Sequence, residues 1–465
     1  MPTDGHGQPL NIPFDADLLA LHQLDPDRYP ALLESTADDS VLARYDILFA
    51  FPQDQLVLGA DGMLSGEPAR GHRRFLSAFD AWWEKLRLVG GKISSSDERN
   101  LPFTGGWFVM LGFELANEIE PHLNLPVTCD DPVAVALRIP VAIVRDRATD
   151  SAWIAAEPGF DDVVEQIRAD LARLQESGPE TSSPIVSELC EDDPNHFLKA
   201  VVGAQNYIAA GDIYQANLAR RWRGTLQPGT SAPDIYRRLR QTNPAPFAGI
   251  AALPGVTVVS SSPERLLRSD GHHIETRPIA GTRPRSATDA SDETIRNELR
   301  AHPKERAEHV MLIDLERNDL GRVCQAGSVE VDEFMVIETY AHVHHIVSNV
   351  RGILREDATP GTIIRSLFPG GSITGCPKVR CMQIISELEG CSRGIYTGAM
   401  GYINRDGSAD LNILIRTIAI NGREVTVATG SGIVADSDPQ QELEETRAKA
   451  RGLLLALTGI PEDES

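Results

Sequence analysis

At 465 residues and 42% hydrophobic content the chain is long enough to bury one large core or two domains. A formal net charge of −23 argues against a nucleic-acid partner, since a polyanion is repelled and no arginine-rich stretch with interleaved aromatics offsets the charge. No apolar run approaches the roughly 20 residues that span a bilayer, the start MPTDGHGQPL has neither a basic nor an apolar leader, and the six cysteines show no C-x-x-C pair or zinc-ligand spacing, so a cytoplasmic protein with reduced thiols is expected.

In chain order, ARYDILFAFP (43–52) reads as strand, RRFLSAFDAWWEKLRLV (73–89) as amphipathic helix, and LPFTGGWFVMLGFEL (101–115), PVAIVRD (140–146) and SAWIAAE (151–157) as further strands. A helical stretch, DDVVEQIRADLARLQ (161–175), runs into the polar linker ESGPETSSP (176–184), the one plausible seam. It divides an N-terminal companion region, 8–175, from a second region, 195–457. Beyond it the pattern predicts helix over 196–210, strand near 213–223, strands at AGIAAL, TVVSSSP and HHIETRP, and helix over 292–319. Strand follows at IVSNVRGIL (346–354), helix over 377–388, strands at YTGAMGYIN, DLNILIRTIAI (410–420) and EVTVATGSGIVA (424–435), and a last helix over 439–457. Strands in runs joined by Gly-rich turns, without strict alternation with helices, predict an α+β fold with large antiparallel sheets packed with helices.

Two glutamate pairs at helical i, i+3 spacing stand out: Glu305 with Glu308, and Glu442 with Glu445. Three residues apart on a helix places both carboxylates on one face, and each pair adjoins a dense run of Gly, Pro, Ser, Thr and Arg. A single such pair is ordinarily a solvated helix face; two pairs, each beside such a run, point to a site.

The second region carries an ordered set of motifs: GDIYQANLARR (211–221), SSPERLL (261–267), ETRPIAGTRPR (275–285), KERAEHVMLIDLERNDLGRV (304–323), HVHHIVSNVRG (342–352), FPGGSITGCPKVRCMQIISELE (368–389), YTGAMGYI (396–403), NILIRT (412–417) and GSGIVADSDPQQELEETRAKA (430–450). In content and order they resemble the chorismate-utilising enzymes, among them anthranilate synthase component I, aminodeoxychorismate synthase component I, isochorismate synthases and salicylate synthases. The resemblance spans about 195–457 and extends into the first region through LLES (32–35) and GGWFVMLGFEL (105–115). It implies an anthranilate synthase component I-like fold and a chorismate-binding catalytic region.

Chorismate is a dicarboxylate whose ring hydroxyl leaves poorly unless protonated. Such a site needs a general acid, donors for two carboxylates and a divalent ion. Four glutamates converging from two helices repel one another unless a cation sits among them, and an all-oxygen donor set suits Mg²⁺. The resemblance makes Glu308 and Glu445 the nearest ligands of that ion, with Glu305 and Glu442 beside it or acting through water. Lys449 is similar to the lysine that meets the ring carboxylate, and Glu264 to the acid that protonates the departing C4 hydroxyl. Tyr396 and Arg416 resemble the binders of the enolpyruvyl carboxylate, a role suited to a planar guanidinium. His345 resembles the histidine beside the ring, and Gly281 with Thr282, and Gly430, Ser431 and Gly432, resemble backbone donors lying against the substrate.

Family members that add water carry a lysine general base in the motif that here reads G-D-I-Y-Q. Gln215 cannot deprotonate water, so the resemblance implies ammonia as nucleophile. Several motif spellings are similar to aminodeoxychorismate synthase component I, which makes 4-amino-4-deoxychorismate on the route to para-aminobenzoate and folate. Ala280, however, stands where well-known members of that branch have a lysine, and alanine there resembles anthranilate synthase. Anthranilate or 2-amino-2-deoxyisochorismate synthesis therefore stays open, as does a non-catalytic chorismate-binding paralogue. The chain shows no glutaminase nucleophile elbow, so ammonia is expected from solution or from a separate glutamine amidotransferase subunit. Leu33, Glu34 and Ser35 of L-L-E-S, with Pro244 of N-P-A-P-F, are similar to a pocket that holds L-tryptophan in relatives.

Overall fold

The structure is a computed structural model that describes residues 10–37, 44–87, 101–127, 131–174, 185–285, 289–339 and 343–459. Among the described residues the strands form two antiparallel sheets, of 12 and 11 strands. The first runs, in spatial order, Leu10–Ile12, Ser151–Ala156, Val141–Asp146, Tyr45–Ala50, Ala31–Glu34, Phe247–Leu253, Val256–Ser262, Thr417–Asn421, Glu424–Ile433, Gln215–Leu226 and Val186–Glu191, with Gly375–Cys376 on the end of Gln215–Leu226. The second runs Ile279–Pro284, Val343–Ile353, His273–Thr276, Arg265–Asp270, Ser408–Ile413, Ala399–Asn404, Gly106–Leu111, Ala134–Ile139, Gln55–Leu58 and Leu64–Ser65, with Glu330–Thr339 also on Val343–Ile353. The expected α+β class with large antiparallel sheets is what the chain adopts.

The sheets face one another. Alternate residues of Gly106–Leu111 show why: Phe108 and Met110 join Phe49, Val135 and Tyr402 in an inner core, whereas Trp107, Val109 and Leu111 join an outer core with the helix Phe75–Leu86. A strand buried on both faces is apolar throughout, and the period of two sends its side chains to different layers. Helices Leu18–Leu24, Asp161–Arg173, Ala232–Thr242 and Pro439–Thr458 cover the outside of the first sheet through a third core. Phe75–Leu86, Pro303–Gly321 and Pro360–Leu367 cover the second. The two regions either side of residues 175–184, which lie outside the described residues, meet strand to strand in both sheets: Ala31–Glu34 pairs with Phe247–Leu253, and Gly106–Leu111 with Ala399–Asn404.

Several elements differ from expectation. The single helix over 292–319 is two, Asp289–Ala301 and Pro303–Gly321. Proline lacks the N–H that a helix interior needs but fits the first turn, so Pro303 starts a new helix instead of continuing the old one. Helices Leu18–Leu24, Ala232–Thr242 and Pro360–Leu367 and strand Glu330–Thr339 were not expected, although Ser231 with Asp234 and Thr359 with Thr362 form capping boxes. The apolar stretch 410–420 is not one strand. Ser408–Ile413 belongs to the second sheet and Thr417–Asn421 to the first, and the chain crosses between them at Leu414–Arg416, where Arg416 has φ 52°. A left-handed conformation costs a non-glycine residue roughly 1 kcal/mol or more, so the crossing holds Arg416 where neither sheet alone would put it.

Candidate active site

The site is built around two bare positions on the strand Glu424–Ile433. A Cβ on Gly430 would stand 2.6 Å from Asn217 Oδ1 and 2.7 Å from the Tyr396 hydroxyl; on Gly432 it would stand 2.5 Å from Gln215 Nε2 and 3.7 Å from Glu308 Oε1. Side chains from the neighbouring strand, from the loop before Ala399 and from helix Pro303–Gly321 therefore close on exposed backbone, which only glycine permits. Ser431 lies between the two, is buried, and donates its hydroxyl to Glu442. Gly430→Ala is accordingly expected to destabilise the fold by about 1–3 kcal/mol through overpacking, read by denaturant titration.

The helix Pro439–Thr458 starts at Pro439, capped by Asp438, whose carboxylate accepts from Gln441 N at 2.9 Å. Glu442, Glu445 and Lys449 then fall on one face at i, i+3 and i+7. Lys449 Nζ lies 2.6 Å from Glu445 Oε1 and donates to the Gly430 carbonyl at 3.0 Å. Arg416 Nη1 donates to the Lys449 carbonyl at 2.6 Å. Burial works to raise the Glu445 carboxyl, but Lys449 above all, with Arg416, holds it below its ordinary value. Tyr396 is buried, with the Arg393 guanidinium 5.7 Å from its ring, and burial pushes its hydroxyl up to about 12, so it remains a donor at neutral pH.

Glu264 follows the strand Val256–Ser262 and is 7% exposed. Its Oε1 accepts from the Ser372 hydroxyl at 2.6 Å. Burial pushes its carboxyl up to about 7, against the pull of Ser372 and the charge of Lys449. His345, on Val343–Ile353, pairs in register with Thr282 and is hydrogen-bonded to the backbone of Gly281. Burial lowers its imidazole to about 4, so it is neutral at physiological pH. The side chain of Thr282 lies outside the described residues.

The four helical glutamates do not form one cluster. Glu305 pairs with Arg283 at 3.0 Å beside Gly281, Glu442 accepts from Ser431, and Glu445 pairs with Lys449. No three His, Cys, Asp or Glu side chains among the described residues meet where they could hold a metal. Glu305, Glu442 and Glu445 each have a cation or a hydroxyl of the protein beside them. Glu308 lies against Gly432, and Glu442 and Glu445 lie against Ser431, the preceding residue of the strand. One carboxylate from each helix is the kind of donor set that suits Mg²⁺, which characteristically takes one or two carboxylates and fills its shell with water and substrate oxygens.

Ser372 and Arg393 were not singled out from the sequence, though both lie in or beside its motifs. Arg393 is a buried hub: it donates to Glu389, to the Ile373 and Asn217 carbonyls and to the Thr397 hydroxyl, fixing the loop that carries Tyr396. Its bonds to Glu389 and Thr397 are local, but those to Ile373 and Asn217 join segments far apart in sequence. The L-L-E-S and N-P-A-P-F segments do adjoin, with Thr36 N donating to Ala245 O at 3.0 Å. Leu33 pairs with Gly249, Ser35 N donates to Asp46 at 3.2 Å, Pro244 precedes Ala245, and Glu34 accepts from Tyr236 at 2.9 Å while ion-paired with Arg240. A separate cavity of about 720 Å³ lies along another stripe of helix Pro303–Gly321, lined by Val310, Met311, Leu315, Asp319, Phe368 and Lys378 among others. No helix among the described residues is long and apolar enough to cross a membrane.

A family model described as chorismate binding enzyme matches residues 53–455. The chain is 45% identical over 368 residues to an anthranilate synthase component I-like protein of Synechocystis, covering 78% of this chain and 74% of that protein. It is 38% identical over 473 residues to aminodeoxychorismate synthase component 1 of Bacillus subtilis, covering 96% of each. Among solved structures, anthranilate synthase component I from Streptococcus pneumoniae superposes with TM-score 0.77 at 28% identity, over 89% of this chain and 93% of that one. The menaquinone-specific isochorismate synthase of Escherichia coli, at 18% identity and TM-score 0.73 over 97% and 94%, shares the fold.

Proposed function

Because the chain belongs to the chorismate binding enzyme family, we propose that it aminates chorismate, drawing ammonia from a separate glutamine amidotransferase subunit and releasing 4-amino-4-deoxychorismate, as aminodeoxychorismate synthase component I does. The observation that carries this reading is Glu264: a buried carboxyl, protonated up to about pH 7, held by Ser372 and in the field of Lys449. Against Gly432 the chain offers Gln215 in place of a basic residue, which suits a nucleophile that brings its own lone pair.

In the proposed reaction Lys449 holds the ring carboxylate, and Arg416 with the protonated Tyr396 hydroxyl holds the enolpyruvyl carboxylate. Neutral His345 lies beside the ring as a hydrogen-bonding group. Glu264 gives its proton to the departing hydroxyl, which leaves as water as the ring C–O bond breaks. A C–N bond forms to ammonia, and the proton that nitrogen then sheds balances the one Glu264 gave. Glu308 and Glu445 are the residues that would hold Mg²⁺, which when bound neutralises substrate carboxylate charge.

One observation favours a second reading. Ala280 is buried and faces Ile346 across the sheet, so this position supplies no amine to attack the ring. Direct entry of ammonia at C2, giving 2-amino-2-deoxyisochorismate or anthranilate, needs no such group. Mass spectrometry and NMR on the product formed from chorismate, Mg²⁺ and ammonium decide between them. A 4-amino product that keeps its enolpyruvyl group supports the first reading, and a 2-amino product or anthranilate replaces it with the second.

A further inference from the structure

The segment GGWFVMLGFEL supplies none of the groups assigned to the reaction, yet its end reaches the site. Glu114 lies in the single turn Phe113–Leu115 that follows strand Gly106–Leu111 in the companion region, and is 4% exposed. Its Oε1 accepts from the backbone N–H of Arg393 at 2.6 Å and its Oε2 from that of Gly394 at 3.0 Å. Beside it the Phe113 N–H donates to the Gly394 carbonyl at 2.8 Å. A Cβ on Gly112 would stand 3.2 Å from that same carbonyl and 2.9 Å from the Val133 carbonyl, so the bare position lets the two segments close on one another. The Arg393 guanidinium lies 4.8 Å from the Phe113 ring.

The loop held in this way carries Tyr396. The Tyr396 N–H donates to the Arg393 carbonyl at 3.2 Å, and the next residue, Thr397, has φ 60°. That left-handed conformation is disfavoured for a non-glycine residue, so the surroundings impose it: the Thr397 N–H donates to the Leu414 carbonyl at 2.8 Å and its hydroxyl to the Tyr396 carbonyl at 2.6 Å. The Tyr396 hydroxyl is thereby aimed at Gly430, where a Cβ would stand 2.7 Å from it. Two adjacent N–H groups at a turn need two acceptors, and a carboxylate offers both oxygens. An apolar residue at 114 would take both acceptors away. An amide would keep only one, because its nitrogen is itself a donor.

We propose that Glu114 is a positioning residue for chorismate binding that acts through Tyr396: by gripping the N–H groups of Arg393 and Gly394, the companion region sets the loop that aims the Tyr396 hydroxyl at the enolpyruvyl carboxylate. The inference rests on Tyr396 being a binder of that carboxylate. Glu114 itself makes no bond to substrate and exchanges no proton in the reaction.

The test is a double-mutant cycle on chorismate affinity, read by calorimetry with Mg²⁺ at pH 8, where the Glu114 carboxyl, pushed up to about 7 by burial, is ionised. Glu114→Gln keeps shape and loses one of the two hydrogen bonds. It is expected to raise the chorismate Kd by about 3- to 10-fold, the worth of one hydrogen bond, and to raise KM by more than it lowers kcat. In a Tyr396→Phe background the same substitution is expected to add little, because the hydroxyl it positions is gone. Equal losses in both backgrounds overturn the proposal, as does a Glu114→Gln protein that unfolds at lower denaturant concentration but binds chorismate like wild type. If Glu114→Gln fails to fold, Glu114→Asp, which keeps the charge but draws it back by one methylene, enters the cycle with the same two outcomes. Tyr396→Phe that binds chorismate like wild type removes the role of Tyr396 and the proposal with it, an outcome distinct from a failure of the coupling.

Discussion

Glu264→Gln is expected to lose turnover by about 10²–10⁴-fold, the usual worth of a positioned general acid, while still binding chorismate. The amide keeps the shape and can still accept from Ser372, but it has no proton to give. Wild-type activity is expected to fall above about pH 7, where Glu264 ionises. The same substitution has an opposite effect on stability, and the sign follows from linkage. Glu264 moves from 4.5 to about 7 on folding, so its contribution to stability is full below about 4.5 and is lost as the pH rises through 7. At pH 8 Glu264→Gln is therefore expected to unfold at higher denaturant concentration than wild type, by up to about 3 kcal/mol. An inactive variant that is also less stable at pH 8 would mean that the glutamate is structural.

Glu308→Gln and Glu445→Gln are expected to reduce Mg²⁺-dependent turnover by orders of magnitude, since each removes one of the two carboxylates proposed to hold the ion. The two variants are expected to differ in the absence of metal. Glu445 is paired with Lys449, so its loss releases a lysine that also holds the Gly430 carbonyl. Glu305→Gln and Glu442→Gln are expected to have the smaller effects, because Glu305 is engaged by Arg283 and Glu442 by Ser431. Magnesium titrations of chorismate binding in the four variants check this order. Equal losses in all four would restore the single four-carboxylate cluster.

The strands were legible because burial on one or two faces writes a period of two into the chain, as in 105–115 and 424–435. The break within 410–420 was not, because alternation continues through the point where the chain leaves one sheet for the other, and only the φ of Arg416 marks it. The end of the helix before Pro303 was readable in principle from the proline, and the capped helices from their Ser-x-x-Asp and Thr-x-x-Thr spellings. At the site, motif order located nearly every side chain that the structure brings together: Glu264, Gln215, Tyr396, Arg416, Lys449 and the bare strand positions. What sequence could not supply was the partner of each charge. Arg283 for Glu305, Ser431 for Glu442 and Lys449 for Glu445 turn an apparent four-fold acidic cluster into separate pairs.

The strand pairings between the two regions carry a consequence for how this protein can be divided. Phe247–Leu253 and Ala399–Asn404 take their outer hydrogen bonds from Ala31–Glu34 and Gly106–Leu111. Cutting the chain before residue 195 would strip a long apolar edge from each sheet at once, and such edges recruit foreign strands. The region after residue 195 thus borrows its sheet borders from the companion segment, which shields those edges against self-association.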